Sequence, residues 1–385
     1  MGKLADVQKL RAFAVFMVLF GHLPFTMPNI LIHGYTGVSL FFVISGYVVT
    51  LSILRKPPAG RFFDRRNVAW LRDFYLRRIF RLLPVAVIWV LIYFCIGQFI
   101  SAFGGSYGDM SRWANEIKWF GLGIYNYGYA ASHMPGLFGH YWSLAVETHF
   151  YLILPILLLV LSKRSYRIGM CVLAILLVST WLRMITPSES IGLLTHTQAD
   201  ALFSGVLMAL VFSGGDDPFS QLFGKLEERL PQLVKNAVSL SLLGALFVLP
   251  SWMDTRVEPI LKYPVFTALA VVIVFLAQRE AGWIAGGSRA VDTALLYVGD
   301  RSYSLYVSHV ILYSGVYVFV TAKYAAAMPT WITQTASGVA AQAAFLVLAA
   351  VAVAAFSYRY IEQPYIDFGK KVIRGLDERS AQAAA

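Results

Sequence analysis

The sequence is poor in charged residues and almost free of cysteine. Only 14% of its 385 residues are charged, against about 25% in ordinary soluble domains, while 58% are hydrophobic. Its two cysteines, Cys95 and Cys171, both lie in apolar segments, which argues against a disulfide framework. This composition excludes an ordinary soluble domain and indicates a membrane protein.

Long apolar runs indicate the type of membrane fold. Residues 339–358 contain no charged side chain, and a helix needs about 20 mostly apolar residues to cross a bilayer. The strands of a membrane barrel would instead alternate over short segments. We therefore predict an all-α polytopic membrane helix bundle. Ten spanning helices are expected, at residues 8–26, 36–54, 82–101, 142–161, 166–186, 199–213, 236–252, 258–277, 302–321 and 334–357.

The net charge of +11 could indicate a nucleic-acid partner, but the distribution of the basic residues argues against one. They cluster in short connections, above all in the loop 55–81, which is typical of loops on the cytoplasmic side. If ten helices span the membrane, all basic clusters lie on the same side of it and both termini are cytoplasmic. We expect a transmembrane domain at residues 1–369 and a basic, then alanine-rich, cytoplasmic tail at 370–385.

Three other segments carry structural expectations. Residues 116–131 are rich in Trp and Tyr, which favour the lipid headgroup level, so we predict an interfacial or re-entrant segment on the outer face. The mixed-charge segment 214–235 predicts an amphipathic cytoplasmic helix. Pro364 is interpreted as the end of the last helix.

The first helix carries two polar side chains on one face. Arg11 and His22 are eleven residues apart, which is close to three turns and about 16 Å along the axis. His22 falls in the outer half of the membrane, where an ionisable residue is a functional candidate and a neutral imidazole can act as a base. Alternatively, His22 ends the helix among headgroups, and Arg11 is an orientation anchor.

Arg77, Arg78 and Arg81 lie where the third helix begins, spaced three and four residues apart, so they share a helical face. Guanidinium groups bind phosphate oxygens in pairs, so a phosphorylated cofactor such as acyl-CoA would dock here. The alternative is a basic anchor that contacts anionic lipid.

The fourth helix opens from the outer side with Ser143, Glu147 and Tyr151 on one face. A carboxylate inside a spanning helix must be paired, protonated or solvated. We predict that Glu147 orients and charges His22 as a catalytic pair; a purely structural ion pair is the alternative. His140 is expected at the interface or in packing.

Two further positions are weaker candidates. His309 follows a run of small hydroxyl residues that begins at Ser302, and it is placed to line a donor tunnel, although such residues also let helices pack closely. Asp200, at the outer entrance of the sixth helix, either binds sugar hydroxyls or caps that helix.

Taken together, six motifs in the same order resemble the acyltransferase-3 family of membrane acyltransferases. They are Arg11 with His22, the segment 37–47, Arg78 with Arg81, and the segments 141–147, 302–309 and 358–364. Two departures are visible. Thr148 stands where the family often has a second Glu, and Gln363 where it commonly has Arg.

The resemblance implies a CoA-thioester donor, usually acetyl-CoA, and an acceptor hydroxyl on a surface carbohydrate or lipid-linked sugar. It also implies a bacterial inner membrane and, here, a stand-alone form without an appended hydrolase-like domain. We expect no metal. On this basis His22 and Glu147 are predicted to be catalytic. The donor is expected to contact Arg11, Arg77, Arg78, Arg81, Ser302 and His309, and the acceptor Trp142, Ser143, Tyr151 and Asp200.

A transporter or flippase for a sugar-containing substrate is the rival hypothesis, because ionisable residues within the membrane also mark transport paths. Many transporters contain inverted repeats and paired broken helices, and the sequence displays neither.

Overall fold

The computed structural model describes residues 4–25, 34–55, 64–105, 107–132, 136–212, 217–254, 256–324, 329, 331–332 and 335–382. Parts of the predicted basic loop (56–63) and the end of the tail (383–385) lie outside these residues. Within them the chain is helical and contains no strand. The helices are α1 (Ala5–Gly21), α2 (Tyr35–Arg55), α3 (Arg65–Ala102), α4 (Met110–Gly121), α5 (Tyr125–Ser132), α6 (Trp142–Val160), α7 (Arg164–Leu176), α8 (Thr195–Phe212), α9 (Pro218–Glu227), α10 (Gln232–Met253), α11 (Pro259–Gln278), α12 (Arg289–Asp300), α13 (Ser302–Val310), α14 (Val318–Lys323), α15 (Ala336–Ser357) and α16 (Gln363–Gln382).

Eight helices of the described part are long and apolar enough to cross a membrane, and they coincide with eight of the ten predicted spans. The other two predictions fall on α1 and α8. Helix α1 has only 17 residues, and α8 carries Gln198 and Asp200 near its start. Both helices are packed against α2 in the middle of the bundle. The protein is thus an all-α, multi-pass helix bundle, while the count of ten stays a prediction.

The distribution of side chains is that of a membrane protein, with large apolar groups on the outside. Leu173 on α7 and Phe345 and Leu348 on α15 are each more than half exposed. Polar side chains such as Thr50 and Ser304 are fully buried. Contiguous apolar surface of this kind suits contact with lipid.

Helix α3 corrects the predicted cytoplasmic loop. It begins at Arg65, where Asp64 caps it by accepting a hydrogen bond from the Arg66 amide at 2.9 Å, and runs unbroken for 38 residues. Such a helix is about 57 Å long, whereas the hydrocarbon core is about 30 Å thick. Its basic first half therefore lies beyond the hydrocarbon core, and the loop 55–81 is mostly helix because charge alone does not disfavour a helix.

Pro364 does not end the last helix, contrary to the prediction. Helix α15 continues through a π-helical segment, Tyr358–Glu362, into α16. Proline lacks an amide hydrogen, and the first turn of a helical segment does not need one, so Pro364 is tolerated at the second position of α16. Helix α16 also runs across the predicted boundary at residues 369 and 370.

The other two predicted segments form short helices, while their locations at the outer face and in the cytoplasm stay predictions. The aromatic segment 116–131 forms parts of α4 and α5, whose 12 and 8 residues are too few to span a bilayer. Glu116 joins them by accepting a hydrogen bond from the Tyr125 hydroxyl, and burial raises the pKa of the Glu116 carboxyl. The amphipathic helix predicted in 214–235 is α9, whereas α12 was not foreseen.

Candidate active site

A cleft opens in the middle of the bundle among α1, α2, α3, α6 and α13. Its polar lining comes from Arg11, Ser45, Arg78, Arg81, Ser143, Glu147, Tyr151, Ser302, Tyr303 and Tyr306. Six predicted donor or acceptor residues and the predicted catalytic Glu147 therefore share one cavity.

One end of the cleft is cationic. The Arg11 Nε donates to Ser302 Oγ at 3.2 Å, and the Arg78 guanidinium lies over the Tyr151 ring, 5.1 Å from its centroid. Arg81 lines this cleft and two adjoining cavities. Arg77 lies outside the cleft but lines one of those cavities, together with Lys370. The arrangement leaves guanidinium groups facing a space large enough for an anion.

Glu362 is a member of this region that the sequence reasoning treated as structural. Its side chain is buried, and its Oε2 accepts a hydrogen bond from Ser304 Oγ at 2.7 Å. It lines the same adjoining cavity as Arg11 and Arg81. Glu362 lies in a π-helical segment, and such segments are frequent at functional sites. This indication is visible in the structure and not in the sequence.

Glu147 does not contact His22 within the described residues, contrary to the expected catalytic pair. Its Oε1 accepts a hydrogen bond from Ser45 Oγ at 2.5 Å, and its Oε2 accepts one from the Tyr151 hydroxyl at 3.2 Å. The α6 face that carries Glu147 lines the cleft, whereas His22 lies at the C-terminal end of α1. Glu147 and His22 were predicted in the same half of the membrane, but that prediction does not determine which faces of α6 and α1 meet.

Tyr306 lines the cleft and contacts the start of α6. Its hydroxyl donates to the His140 carbonyl oxygen at 2.8 Å and lies 2.6 Å from Ser143 Oγ. Trp142, predicted to contact the acceptor, instead packs edge-on against Phe42 at 6.0 Å. Of the predicted acceptor residues, Ser143 and Tyr151 are thus in the cleft and Trp142 is not.

Three histidines meet behind Tyr306. The ring centroids of His22 and His309 are 4.9 Å apart, those of His140 and His309 are 5.0 Å apart, and those of His22 and His140 are 6.3 Å apart. The Tyr306 ring lies 5.5 Å from His140 and 5.9 Å from His309. His22 therefore faces the interior and not lipid. His140, expected at the interface, is the member that the sequence reasoning missed.

Hydrogen bonds fix the protonation pattern of two of these rings. The Nδ1 of His22 lies 2.8 Å from the Val18 carbonyl oxygen, and Nδ1 of His309 lies 2.8 Å from the Tyr306 carbonyl oxygen. A carbonyl only accepts, so each Nδ1 carries the hydrogen and each Nε2 has a free lone pair. His22 is thereby presented as a hydrogen-bond acceptor and a base.

Asp200 is not available to bind a sugar, contrary to the prediction. It is 1% exposed; its Oδ1 accepts from Arg183 at 2.8 Å and its Oδ2 from Thr267 at 3.4 Å. Arg183 is equally buried and also donates to the Thr197 carbonyl. This ion pair ties α8 to the π-helical segment Leu177–Leu182 that precedes Arg183, away from the cleft.

The chain resembles known proteins over most of its length. A family profile described as an acyltransferase domain, that of acyltransferase family 3, matches residues 5–359. A Staphylococcus aureus (strain MRSA252) protein named "Putative O-acetyltransferase SAR0937" is 27% identical over 97% of this chain and 58% of its own length. The peptidoglycan O-acetyltransferase OatA of Listeria monocytogenes is 27% identical over 93% of this chain and 55% of its own length.

These figures mean that the chain spans less than two thirds of the length of those relatives. No solved structure gives a significant match. The profile nevertheless covers every residue that lines the cleft and all three clustered histidines, and it ends before Glu362. The protein belongs to the acyltransferase-3 family.

Proposed function

We propose that the protein is a membrane O-acetyltransferase that moves an acetyl group from cytoplasmic acetyl-CoA to a carbohydrate hydroxyl on the outer side. The observation that carries this proposal is that Tyr306 lines the cleft together with the guanidinium groups and also contacts a cluster of imidazoles. Such a layout suits a donor with an anionic head and a reactive end some distance away. Along α1, Arg11 and His22 are separated by about 16 Å.

The donor's phosphates are bound by Arg11, Arg78 and Arg81, with Arg77 and Lys370 supporting from the adjoining cavity. Guanidinium groups keep their charge and pair with phosphate oxygens, which fits them for this role. Ser302 and Glu362 orient the arginines. The pantetheine arm follows the cleft towards Tyr306, where Ser143 and Tyr151 line its path.

The chemistry is carried by His22. Its Nε2 takes the proton from the acceptor hydroxyl, the oxygen attacks the thioester carbonyl, and a C–O bond forms as the C–S bond breaks. The thiolate of CoA leaves and takes up the proton from the His22 imidazolium. The Val18 carbonyl holds the ring in the correct tautomer throughout.

The acceptor is a cell-envelope carbohydrate of a bacterium. This part of the proposal rests on the printed names of the relatives, one of which acts on peptidoglycan. The protein would accordingly reside in the inner membrane, with the arginine end of the cleft towards the cytoplasm.

The first test replaces His22 by alanine and follows [¹⁴C]acetyl transfer from acetyl-CoA to envelope carbohydrate in membrane vesicles. Loss of a general base lowers rates by about 10²–10⁴-fold, which is the expected result. His196→Ala is the matched control, since that ring contacts Tyr127 and Thr186 outside the cleft. Both variants are compared at equal membrane content.

A His22→Ala protein that inserts normally and transfers acetyl at the native rate would overturn the role of His22. Uptake of a labelled sugar without any acetyl transfer by the intact protein would overturn the reaction itself and support the transporter hypothesis.

A further inference from the structure

The cluster of histidines contains several buried polar atoms that have no partner. Neither ring nitrogen of His140 has a hydrogen-bond partner of acceptable geometry among the described residues, nor do His309 Nε2 and the Tyr313 hydroxyl. His140 is 95% buried, and His309 and Tyr313 are fully buried. Buried polar groups are nearly always satisfied, so a group of unsatisfied ones in one place indicates a ligand position.

The hydrogen-bonding roles of these atoms indicate which chemical groups a ligand must present. His22 and His309 both donate through Nδ1, so the Nε2 atoms are acceptors that suit the hydroxyl groups of an alcohol. His140 differs, because a neutral imidazole carries one N–H and neither nitrogen of His140 makes a hydrogen bond of good geometry among the described residues, although the backbone of Val307 and Tyr306 lies close to the ring. Its N–H is therefore the available ring N–H donor of the cluster, and it requires an acceptor oxygen.

The backbone of His140 is fixed independently of its ring. The His140 carbonyl accepts from the Tyr306 hydroxyl at 2.8 Å and from Ser143 Oγ at 3.3 Å. The ring is packed edge-on against Tyr141 at 4.8 Å and lies 6.0 Å from Tyr93. The ring is thus held by packing next to Tyr306, which lines the cleft, and among the described residues its nitrogens make no hydrogen bond of good geometry. Donors held in this way are effective when negative charge develops on an oxygen.

We propose that His140 donates its N–H to the carbonyl oxygen of the thioester and stabilises the oxyanion that forms when the acceptor hydroxyl attacks. His140 neither takes nor gives up a proton in this step; His22 remains the base. This inference rests on the proposed acetyltransferase function. In it His140 stabilises the oxyanion while His22 acts as the base.

The test compares two replacements at position 140 in the full-length protein. His140→Phe keeps a planar ring but removes both nitrogens, whereas His140→Gln keeps an N–H donor. We expect His140→Phe to lower kcat by about 10²–10³-fold, as for loss of an oxyanion donor, with the KM for acetyl-CoA changed by less than about threefold. His140→Gln should recover at least about tenfold of that loss.

Stability separates this role from a structural one. Because neither nitrogen of His140 makes a hydrogen bond of good geometry among the described residues, His140→Phe should unfold at the same temperature as the wild type or higher. A structural role predicts the reverse. A His140→Phe protein with kcat within about threefold of wild type, or a His140→Gln protein as slow as His140→Phe, would overturn the proposal.

Binding of unreactive analogues provides a measurement that needs no turnover. S-acetonyl-CoA keeps a carbonyl group and S-ethyl-CoA lacks it. We expect calorimetry to give the wild type a preference of about three- to tenfold for the acetonyl compound, and His140→Phe to lose that preference. Equal preference in both proteins would overturn the role of His140. Absence of acetyl transfer by the wild type would count against the proposed function alone.

Discussion

Buried charged side chains in this protein differ in whether they face the cleft. Arg11, Arg78 and Glu147 line the cleft, where a substrate can use their charges, whereas Asp200 and Arg183 neutralise one another outside it. From sequence, a carboxylate in a spanning helix suggested function in both cases. The distinction depends on which partner each carboxylate meets, and only the packing of the helices supplies that partner.

The Arg183–Asp200 pair makes a prediction about stability. Asp200→Leu leaves the Arg183 guanidinium buried without its counterion, and breaking a buried pair in this way costs about 3–5 kcal/mol. We expect a clear fall in the temperature of thermal unfolding in detergent. The double variant Arg183→Met/Asp200→Leu should recover most of that loss, because a packed apolar pair carries no desolvation cost.

Activity of the double variant then decides the role of Asp200. Acetyl transfer close to the wild-type rate is expected if Asp200 is structural. A stable double variant that has lost carbohydrate specificity would indicate that Asp200 does contact the acceptor.

The sequence indicated a functional role for His22 but not for His140. His22 was predictable because residues 12–21 before it are apolar and the spacing from Arg11 puts both on one face. His140 precedes a spanning helix, where a histidine has an ordinary interfacial explanation, and nothing in its neighbourhood indicates that three separate segments bring imidazoles to one point. Such convergence follows from the tertiary packing of α1, α6 and α13.

At the scale of elements, α2 and α8 pack closely against one another. A Cβ on Gly46 would lie 2.0 Å from the Leu202 carbonyl oxygen, and one on Gly205 would lie 2.2 Å from the Val43 carbonyl oxygen. Small residues at such crossings let membrane helices approach until their backbones touch. This contact explains how α8, which carries Gln198 and Asp200 near its start, is held inside the bundle next to α2, which forms a wall of the cleft.

Gly46→Ala tests that contact. The added methyl group would force α2 and α8 apart, and overpacking of this kind costs about 1–3 kcal/mol or more. We expect a lower temperature of thermal unfolding and, because α2 carries Ser45, weaker acetyl transfer. Gly244→Ala on α10 is the matched control, since no atom lies within 4 Å of the added Cβ. A Gly46→Ala protein as stable as that control would contradict the close packing.

The spans were predictable where an apolar run is long, and the errors concern their ends. Helix α3 and the α15–α16 pair both extend well past their predicted limits, because hydropathy marks where a helix is in lipid and not where it ends. The π-helical segment Ile311–Tyr317, directly after His309, left no periodic signal. Its altered hydrogen bonding is supported by the Tyr93 hydroxyl, which accepts from the Ile311 amide at 3.1 Å.

For the whole molecule, the arrangement of charge implies a direction for the reaction. The cavities next to the cleft gather Arg55, Arg77, Arg81 and Lys370 at the end where α1 begins, while the three histidines lie where α1 ends. Basic residues of membrane proteins concentrate on the cytoplasmic side. The donor should therefore enter from the cytoplasm and the acceptor should meet it from the opposite side.

Sealed vesicles of known orientation test this polarity. Acetyl-CoA carries several phosphate charges and does not cross a bilayer, so only vesicles that expose the arginine end can use it from outside. We expect inverted vesicles to transfer [¹⁴C]acetyl from external acetyl-CoA to envelope carbohydrate, and sealed right-side-out vesicles to do so only after permeabilisation. Equal rates in both sealed preparations would contradict the orientation. Because the two preparations contain the same protein, the comparison tests how the cleft is oriented in the membrane, whichever residues are catalytic.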